Sequence, residues 1–373
     1  VVYRQAIDAA APVARIGVLP TLIPPRCHML RPLFAGLLAA GSLLAAGLTG
    51  SVAQEKKDAP KNKERIAIAE PKDAAKDPDF AIQGEYEGAV KLNSGDQKVG
   101  AQVIAKGLGE FDVRVFMGGL PGAGSDGKTA LRATAKRAGD TATVTGKDVS
   151  GSIAGGKFVL KDGTKIETAL TRVERKSDTL GKKAPEGAVV LFGGDGDEKN
   201  WAGGKLKDLS DGKYLDVGVK SKQKFGAFRA HVEFRLPWMP NSTGQGRGNS
   251  GVYFQDRYEC QVLDSFGLKG ENNECGGIYT ISAPKVNLCY PPLQWQTYDM
   301  DFTAAKFDAA GKKTANAVLT VRHNGVVVQD RLELKGVTPG GGFKAEVPAP
   351  GPFQLQGHGN PVFYRNIWVV ERK

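Results

Sequence analysis

Four cysteines, four tryptophans and four methionines in 373 residues leave little material for thiol or metal chemistry. No CxxC pair occurs, so a zinc ribbon has no support. A Gly-rich phosphate loop, a nucleophile elbow and a metalloprotease helix motif are also missing. The chain is basic, with a net charge of +11. That excess is spread thinly, and no Lys/Arg stripe interleaved with aromatic residues marks a nucleic-acid surface. The paired-carboxylate spacing Glu-x-Asp-x-x-Glu of laminarinase-like glucanases is absent too, which removes the most direct route to an ordinary glycosidase.

What is present is turn material. There are 49 glycines and 20 prolines, against an ordinary 41% hydrophobic and 24% charged content. That inventory suits many short strands, and the length suggests two domains. The N-terminal part reads as a processing segment. "MLRPLFAGLLAAGSLLAAGLTGSVAQ" begins at Met29, carries Arg31 as its positive start and runs apolar to Gly50. Ser51-Val52-Ala53 sets small residues where a signal peptidase reads, so cleavage after Ala53 is expected, with an uncleaved anchor as the alternative. Residues 1–28 have no coherent pattern, and Met29 is the expected translation start. The mature chain is then exported, to the periplasm, the cell envelope or the medium, with no integral membrane domain.

Export bears on the thiols. Cys27 precedes the cleavage point, leaving Cys260, Cys275 and Cys289, an odd number. Cys260 has the parity of a buried strand residue. Cys275 and Cys289 lie in a loop-rich stretch, and whether they are bridged is left open by the sequence.

The expected organisation has four parts. Residues 1–53 are extension and signal peptide, and 54–79 form a charged, disordered linker interrupted by Pro60, Pro71 and Pro78. Residues 80–176 form a small accessory antiparallel β domain of alternating segments at intervals of about ten residues, without His or Cys. Residues 188–373 form an all-β sandwich. In "FGAFRAHVEFRLP", Phe228, Ala230, Val232 and Phe234 point inward, and Arg229, His231, Glu233 and Arg235 outward. "QTYDMDFTA" sets Tyr298, Met300 and Phe302 inward, and Asn324-Gly325 tips a hairpin.

The candidate chemistry centres on "GNSGVYFQDRYECQVLDSFG", residues 248–267. Tyr258, Cys260 and Val262 alternate toward the core, so Arg257, Glu259 and Gln261 share the other face. That face is either solvated or a floor of donors and acceptors for a polar ligand. Asp264 falls on the opposite parity unless a strand end turns it. The hairpin lacks a turn glycine at Asp256-Arg257, where Asp tolerates the geometry best. His358, between Gly357 and Gly359, sits at a bend where backbone can approach a ligand. His231 reads as a residue of a solvated strand face and His323, beside the Asn-Gly turn, as a surface residue. Trp295, Tyr253, Tyr279 and Tyr290 offer faces for sugar stacking, whereas Trp201, Trp238 and Trp368 look structural.

"GNSGVYFQDRYECQVLDSFG", "GGIYTISAPKVN", "QWQTYDMDF", "HNGVVV" and "LQGHGNPVFYRNIWV", in that order, resemble the 3-keto-disaccharide hydrolase family of exported bacterial proteins over about residues 188–372. The resemblance implies a jelly-roll sandwich of the concanavalin type and action on glycosides oxidised to a ketone at C3. Such a ketone acidifies the C2 proton, so the group at C1 leaves by elimination and water adds afterwards. The chemistry asks for a base, an acid and a group polarising the ketone. Glu259 and His358 are the expected base and acid, with Asp264 orienting one of them or helping to bind a divalent cation. Arg257, Gln261, Arg365, Asn249, Tyr253 and Trp295 are the expected substrate contacts. No cofactor is certain, and a divalent metal ion is the one open possibility. The partner is a carbohydrate, not nucleic acid. A non-catalytic carbohydrate-binding module of the cell envelope is the alternative.

Overall fold

Strands form here because β-branched and aromatic residues recur at every second position, with Gly-, Asn- and Asp-containing turns between them. The computed structural model describes residues 66–92, 95–162 and 167–372, and its long elements are all strands. The signal-like run and residues 54–65 lie outside the described residues.

Eight strands build the first body: β1 (Gly84–Leu92), β2 (Gly95–Gly107), β3 (Glu110–Met117), β4 (Leu131–Ala138), β5 (Thr141–Gly146), β6 (Val149–Ala154), β7 (Lys157–Asp162) and β8 (Glu167–Val173). Each pairs antiparallel with the next, and β8 returns to β1, closing an up-and-down barrel. Closure leaves no unpaired strand edge. Tyr86, Val103, Phe111, Val113, Phe158 and Leu170 fill the interior, so the barrel encloses a packed core.

Of the segment expected to be a disordered linker over 54–79, residues 66–79 are described, and they are folded. Two short helices, α1 (Pro71–Ala74) and α2 (Pro78–Ile82), start at prolines whose missing N–H is no loss in a first turn. Ala74 and Ile82 are buried in the barrel core together with Trp238 from the second body. Trp238 donates from Nε1 to Asp77 Oδ2 at 2.9 Å, stacks edge-on against Phe80 at 5.2 Å, and exchanges backbone bonds with Ile68. The alternating charges suggested solvent, but Ile68, Ala74 and Phe80 supply enough apolar surface to cap the barrel.

The second body is a sandwich. Its strands are β9 (Val189–Phe192), β10 (Trp201–Ala202), β11 (Leu206–Leu209), β12 (Gly212–Leu215), β13 (Val219–Phe225), β14 (Ala227–Arg235), β15 (Ser250–Phe254), β16 (Tyr258–Val262), β17 (Trp295–Thr303), β18 (Ala317–His323), β19 (Val326–Leu334), β20 (Gly351–Leu355) and β21 (Phe363–Arg372). The larger sheet runs β11-β12-β21-β14-β17-β18-β19, with β9 also on β21; the smaller runs β10-β13-β20-β15-β16. The inner faces interdigitate through an aromatic core that includes Phe228, Phe234, Phe254, Tyr258, Phe302 and Phe353. All the inward residues expected from alternation are in that core. The Asn324-Gly325 turn has positive φ at both positions, 48° and 84°, as a two-residue hairpin requires.

Two arginines tie the bodies together within the compact unit Pro60–Lys373. Arg175, just past β8, pairs with Glu85 at 2.6 Å and lies over the Tyr290 ring at 5.0 Å. Arg247 donates from Nη1 to the Ala105 carbonyl of β2 at 3.1 Å.

Candidate active site

Strands β15 and β16 form the hairpin that carries Glu259. Gln255 and Asp256 both adopt positive φ, 53° and 54°, so the turn lies one residue earlier than the sequence indicated. Asp256 holds the turn by accepting from Gly342 N at 2.9 Å and pairing with Lys220 at 2.6 Å. Val252, Phe254, Tyr258, Cys260 and Val262 pack into the core. Asn249, Gly251, Tyr253, Glu259 and Gln261 therefore share the outer face of the smaller sheet. Cross-strand register sets Tyr253 opposite Glu259 and Gly251 opposite Gln261.

Glu259 is only 2% exposed. Its Oε2 accepts from Tyr253 Oη at 2.6 Å, and its backbone N–H donates to Thr338 Oγ1 at 2.9 Å. Burial pushes its carboxyl up to about 7, and the Tyr253 hydrogen bond opposes that only in part. Tyr253 is itself held far above the usual phenol range by burial and then by the Glu259 charge, so it stays a donor. Gly251 makes room for the carboxylate: a Cβ there would meet Glu259 Oε1 at 2.1 Å. Beyond the edge of β16, the segment after Cys275 pairs with it, Tyr279 N donating to Glu259 O and Gln261 N to Gly277 O.

An amide network continues this face. Asn249 Nδ2 donates to Gln245 O at 2.8 Å, and Gln261 Nε2 to Gln245 Oε1 at 3.1 Å. Two acceptors in this row, Asn249 Oδ1 and Gln354 Oε1, are buried and have no partner. Gln354 lies opposite Tyr253, and Gln356 donates to Tyr253 Oη at 3.4 Å. The sequence reading missed both glutamines. The alternation in "GPFQLQG", with Phe353 and Leu355 in the core, was the signal that would have found them.

The remaining expected residues are placed elsewhere or otherwise engaged. Arg257 turns away at the hairpin end, donating to Gln255 Oε1 at 2.9 Å and Ala349 O at 3.0 Å. Asp264 pairs with the buried Arg247 at 2.6 Å and accepts from Phe266 N. Arg365 and Trp295 lie on the outer face of the other sheet, where Arg365 pairs with Glu233 at 2.7 Å and covers the Trp295 ring at 4.0 Å. The core sandwiched between the two sheets keeps them from Glu259. His358 is exposed just beyond β20, on the loop whose Asn360 Oδ1 accepts from Asn249 N at 2.7 Å. Tyr290 is buried at the junction with the barrel. Among the described residues no group of three His, Cys, Asp or Glu side chains is placed to hold a metal ion, so no step is routed through one.

Two histidines correct the sequence reading. His323 is fully buried: its Nε2 meets Gln296 Oε1 at 3.0 Å, and burial drives it down to about 3, so it is neutral. Its hairpin tip is folded inward, with Asn324 Nδ2 on the Leu288 carbonyl at 2.9 Å. His231 is not solvated either. It sits between Asp299 (3.0 Å) and Glu233 (3.3 Å), stacked on Trp368. The connection 177–182 covers them: Thr179 Oγ1 donates to Asp299 and Gly181 N to Glu233. A cleft of about 750 Å³ opens beside that cover, lined by Lys182, Arg229, Asp299, Arg322 and Trp368. It lies on the larger sheet, apart from the Glu259 face.

Comparison with known proteins adds the lineage. Among solved structures, a candidate glycosyl hydrolase from Parabacteroides distasonis ATCC 8503 is 36% identical; the alignment covers 51% of this chain and 85% of that one, with a TM-score of 0.45. A second candidate glycosyl hydrolase from the same organism is 16% identical over 50% of this chain and 95% of that one, with a TM-score of 0.36. A search of curated proteins returns no match. Residues 187–370 match the family described as 3-keto-alpha-glucoside-1,2-lyase-like domain, and through that domain the chain belongs to the 3-keto-disaccharide hydrolase family.

Proposed function

We propose that the sandwich is a carbohydrate-active enzyme that cleaves 3-keto-glycosides by elimination, with Glu259 as the base. The observation that carries this reading is the buried Tyr253–Glu259 pair, a carboxyl titrating at about 7 on a sheet face lined with amides. A base works best when its pKa lies near the operating pH. In the proposed step the Glu259 carboxylate takes the C2 proton, and the C2–H electron pair forms the C2–C3 double bond as charge moves onto the ketone oxygen. That charge returns to expel the C1 substituent, which is protonated as it leaves; His358, exposed at the adjoining loop, is the proposed acid. Water then adds to the unsaturated sugar, completing a net hydrolysis. Asn249 Oδ1 and Gln354 Oε1, buried and unpartnered, are acceptors suited to sugar hydroxyls. Arg257 and Arg365, already engaged, have no part in this step.

With Glu259 so deeply buried, substrate reaches it only when the Thr338–Gly342 segment lifts. That segment is bonded to Glu259 N through Thr338 and to Tyr253 through Pro339 O at 2.8 Å. The same burial favours a second reading, a carbohydrate-binding module in which Glu259 merely braces the hairpin. Turnover of a 3-keto-glucoside carrying a chromogenic aglycone, with and without EDTA, separates the two. Release abolished in Glu259→Gln supports the enzyme; sugar binding without release from any such substrate supports the module. Export with cleavage after Ala53 belongs to the same proposal and is checked by N-terminal sequencing of the mature chain.

A further inference from the structure

The alternation that sends Phe228, Ala230, Phe302 and Val321 into the core sends their neighbours to the outer face of the larger sheet. Register arranges those neighbours in two rows across β21, β14, β17 and β18. One row runs Trp368, His231, Asp299, Arg322, and the next runs Val370, Arg229, Asp301, Thr320. The connection 177–182 walls this floor and is tied to it. Thr179 Oγ1 donates to Asp299 at 2.6 Å, while Trp368 Nε1 and Asn366 Nδ2 donate to the Lys182 carbonyl at 3.1 and 3.0 Å. Those bonds fix the wall of the cleft of about 750 Å³ before any ligand arrives, and the volume is that of an ordinary ligand pocket.

The charges of the cleft are unequally satisfied. Asp299 accepts from His231 and Thr179, Asp301 pairs with Arg372, and Asp330 on β19 pairs with Lys285 at 2.9 Å. Arg229 and Arg322 are exposed and have neither a hydrogen bond nor an ion pair among the described residues; Arg322 acts on Asp330 only through its field. A guanidinium takes a carboxylate through two parallel N–H bonds. Two strands and one pleat part the two arginines, roughly 12 Å between Cα atoms, so each can take a separate carboxylate of an extended ligand. The aspartates keep lone pairs for hydroxyl donors and repel a densely charged polyanion. A ligand that meets both demands carries many hydroxyls and spaced carboxylates. An acidic peptide brings the carboxylates without the hydroxyls.

We propose that this cleft is a second saccharide site, for a chain of uronic acid residues held by Arg229 and Arg322. It lies on the sheet opposite the Glu259 face and does not depend on the catalytic reading.

The test is titration calorimetry of the full chain at low salt with trigalacturonate, its neutral counterpart galactotriose and a short polyglutamate peptide. Trigalacturonate should bind about tenfold or more tightly than either of the others. Arg229→Ala and Arg322→Ala should each weaken it about tenfold, and the double variant should lose it. Neither arginine has a bond to lose within the protein, so the thermal midpoints should stay where they are. Glu259→Gln should bind trigalacturonate as the unaltered chain does. This pattern supports the site whether or not any 3-keto-glucoside is cleaved. No binding of trigalacturonate, equal binding of galactotriose or polyglutamate, or unchanged binding by the double variant would overturn the proposal. So would loss of binding in Glu259→Gln, which would put the ligand on the smaller sheet.

Discussion

Tyr253 Oη donates to Glu259 Oε2 at 2.6 Å across the β15–β16 pair, and Gly251, one pleat along, leaves the space the carboxylate occupies. The hydroxyl also reaches the Pro339 carbonyl at 2.8 Å, so one phenol joins the carboxylate to the segment above it. The proposed base, the phenol bonded to it and the segment over both are thus one unit, and disturbing any of them should register at Glu259.

The first expectation concerns pH. A base titrating at about 7 makes kcat/KM rise through neutrality as the carboxyl ionises. Tyr253→Phe removes the one hydrogen bond that holds the value down, so the acid limb should move up by about one unit. A pH–rate profile of the variant checks both direction and size.

Stability has the opposite dependence at this residue. Since folding raises the Glu259 value above that of the unfolded chain, its favourable contribution is complete below the unfolded pKa and is lost as pH rises through about 7. Glu259→Gln should therefore flatten the thermal midpoint between pH 5 and roughly 8, measured by calorimetry, while abolishing turnover.

Gly251→Ala tests the space argument. The added Cβ would collide with Glu259 Oε1, and the carboxylate must shift by an ångström or more. A displacement of that size costs about 100-fold in rate. Retention of full turnover by a folded Gly251→Ala protein would show that Glu259 does not act from this position.

Asp264 and Arg247 form a buried pair at 2.6 Å, with the Arg247 guanidinium reaching the barrel at Ala105 O. Asp264→Asn should lower stability by about 3–5 kcal/mol, because it strands a buried cation. If the residue serves only this junction, kcat per folded molecule will be unchanged. A loss of kcat at constant folded fraction would return Asp264 to the chemistry.

His231 gives a second pH signature, on the larger sheet. Burial lowers its pKa, but the hydrogen bonds His231 donates to Asp299 and Glu233 outweigh it, so the net direction is upward. Lys182 and Arg365 are the other charges facing the group, each paired with one of its carboxylates. Stability from this imidazolium is complete below the unfolded pKa of about 6.5 and is lost as pH rises through the higher folded value. His231→Gln should erase that part of the alkaline loss without altering the part removed by Glu259→Gln.

Alternation of side chains, turn residues and the ordered motifs of residues 248–372 determined the strands, the inward and outward sets of the sandwich, and the family. Period-two patterning fixes which face of a strand a residue occupies, and the Asn324-Gly325 turn needs only local backbone geometry. Only the tertiary structure decided what covers each face. His231, Glu233 and Glu259 have the sequence signature of solvated residues, yet segments far away in the chain seal them, Gly181 onto Glu233 and Thr338 onto Glu259. It also decided which charged side chains were free to serve a ligand. Long arginines take partners wherever the fold brings a carboxylate or carbonyl within reach, so Arg365 was claimed by Glu233 and Arg257 by Ala349 O. Closure of the barrel was equally out of reach of local pattern, because the β1–β8 pairing joins residues more than eighty positions apart, and the entropy of bringing them together is offset only by a core that exists once the sheet has closed.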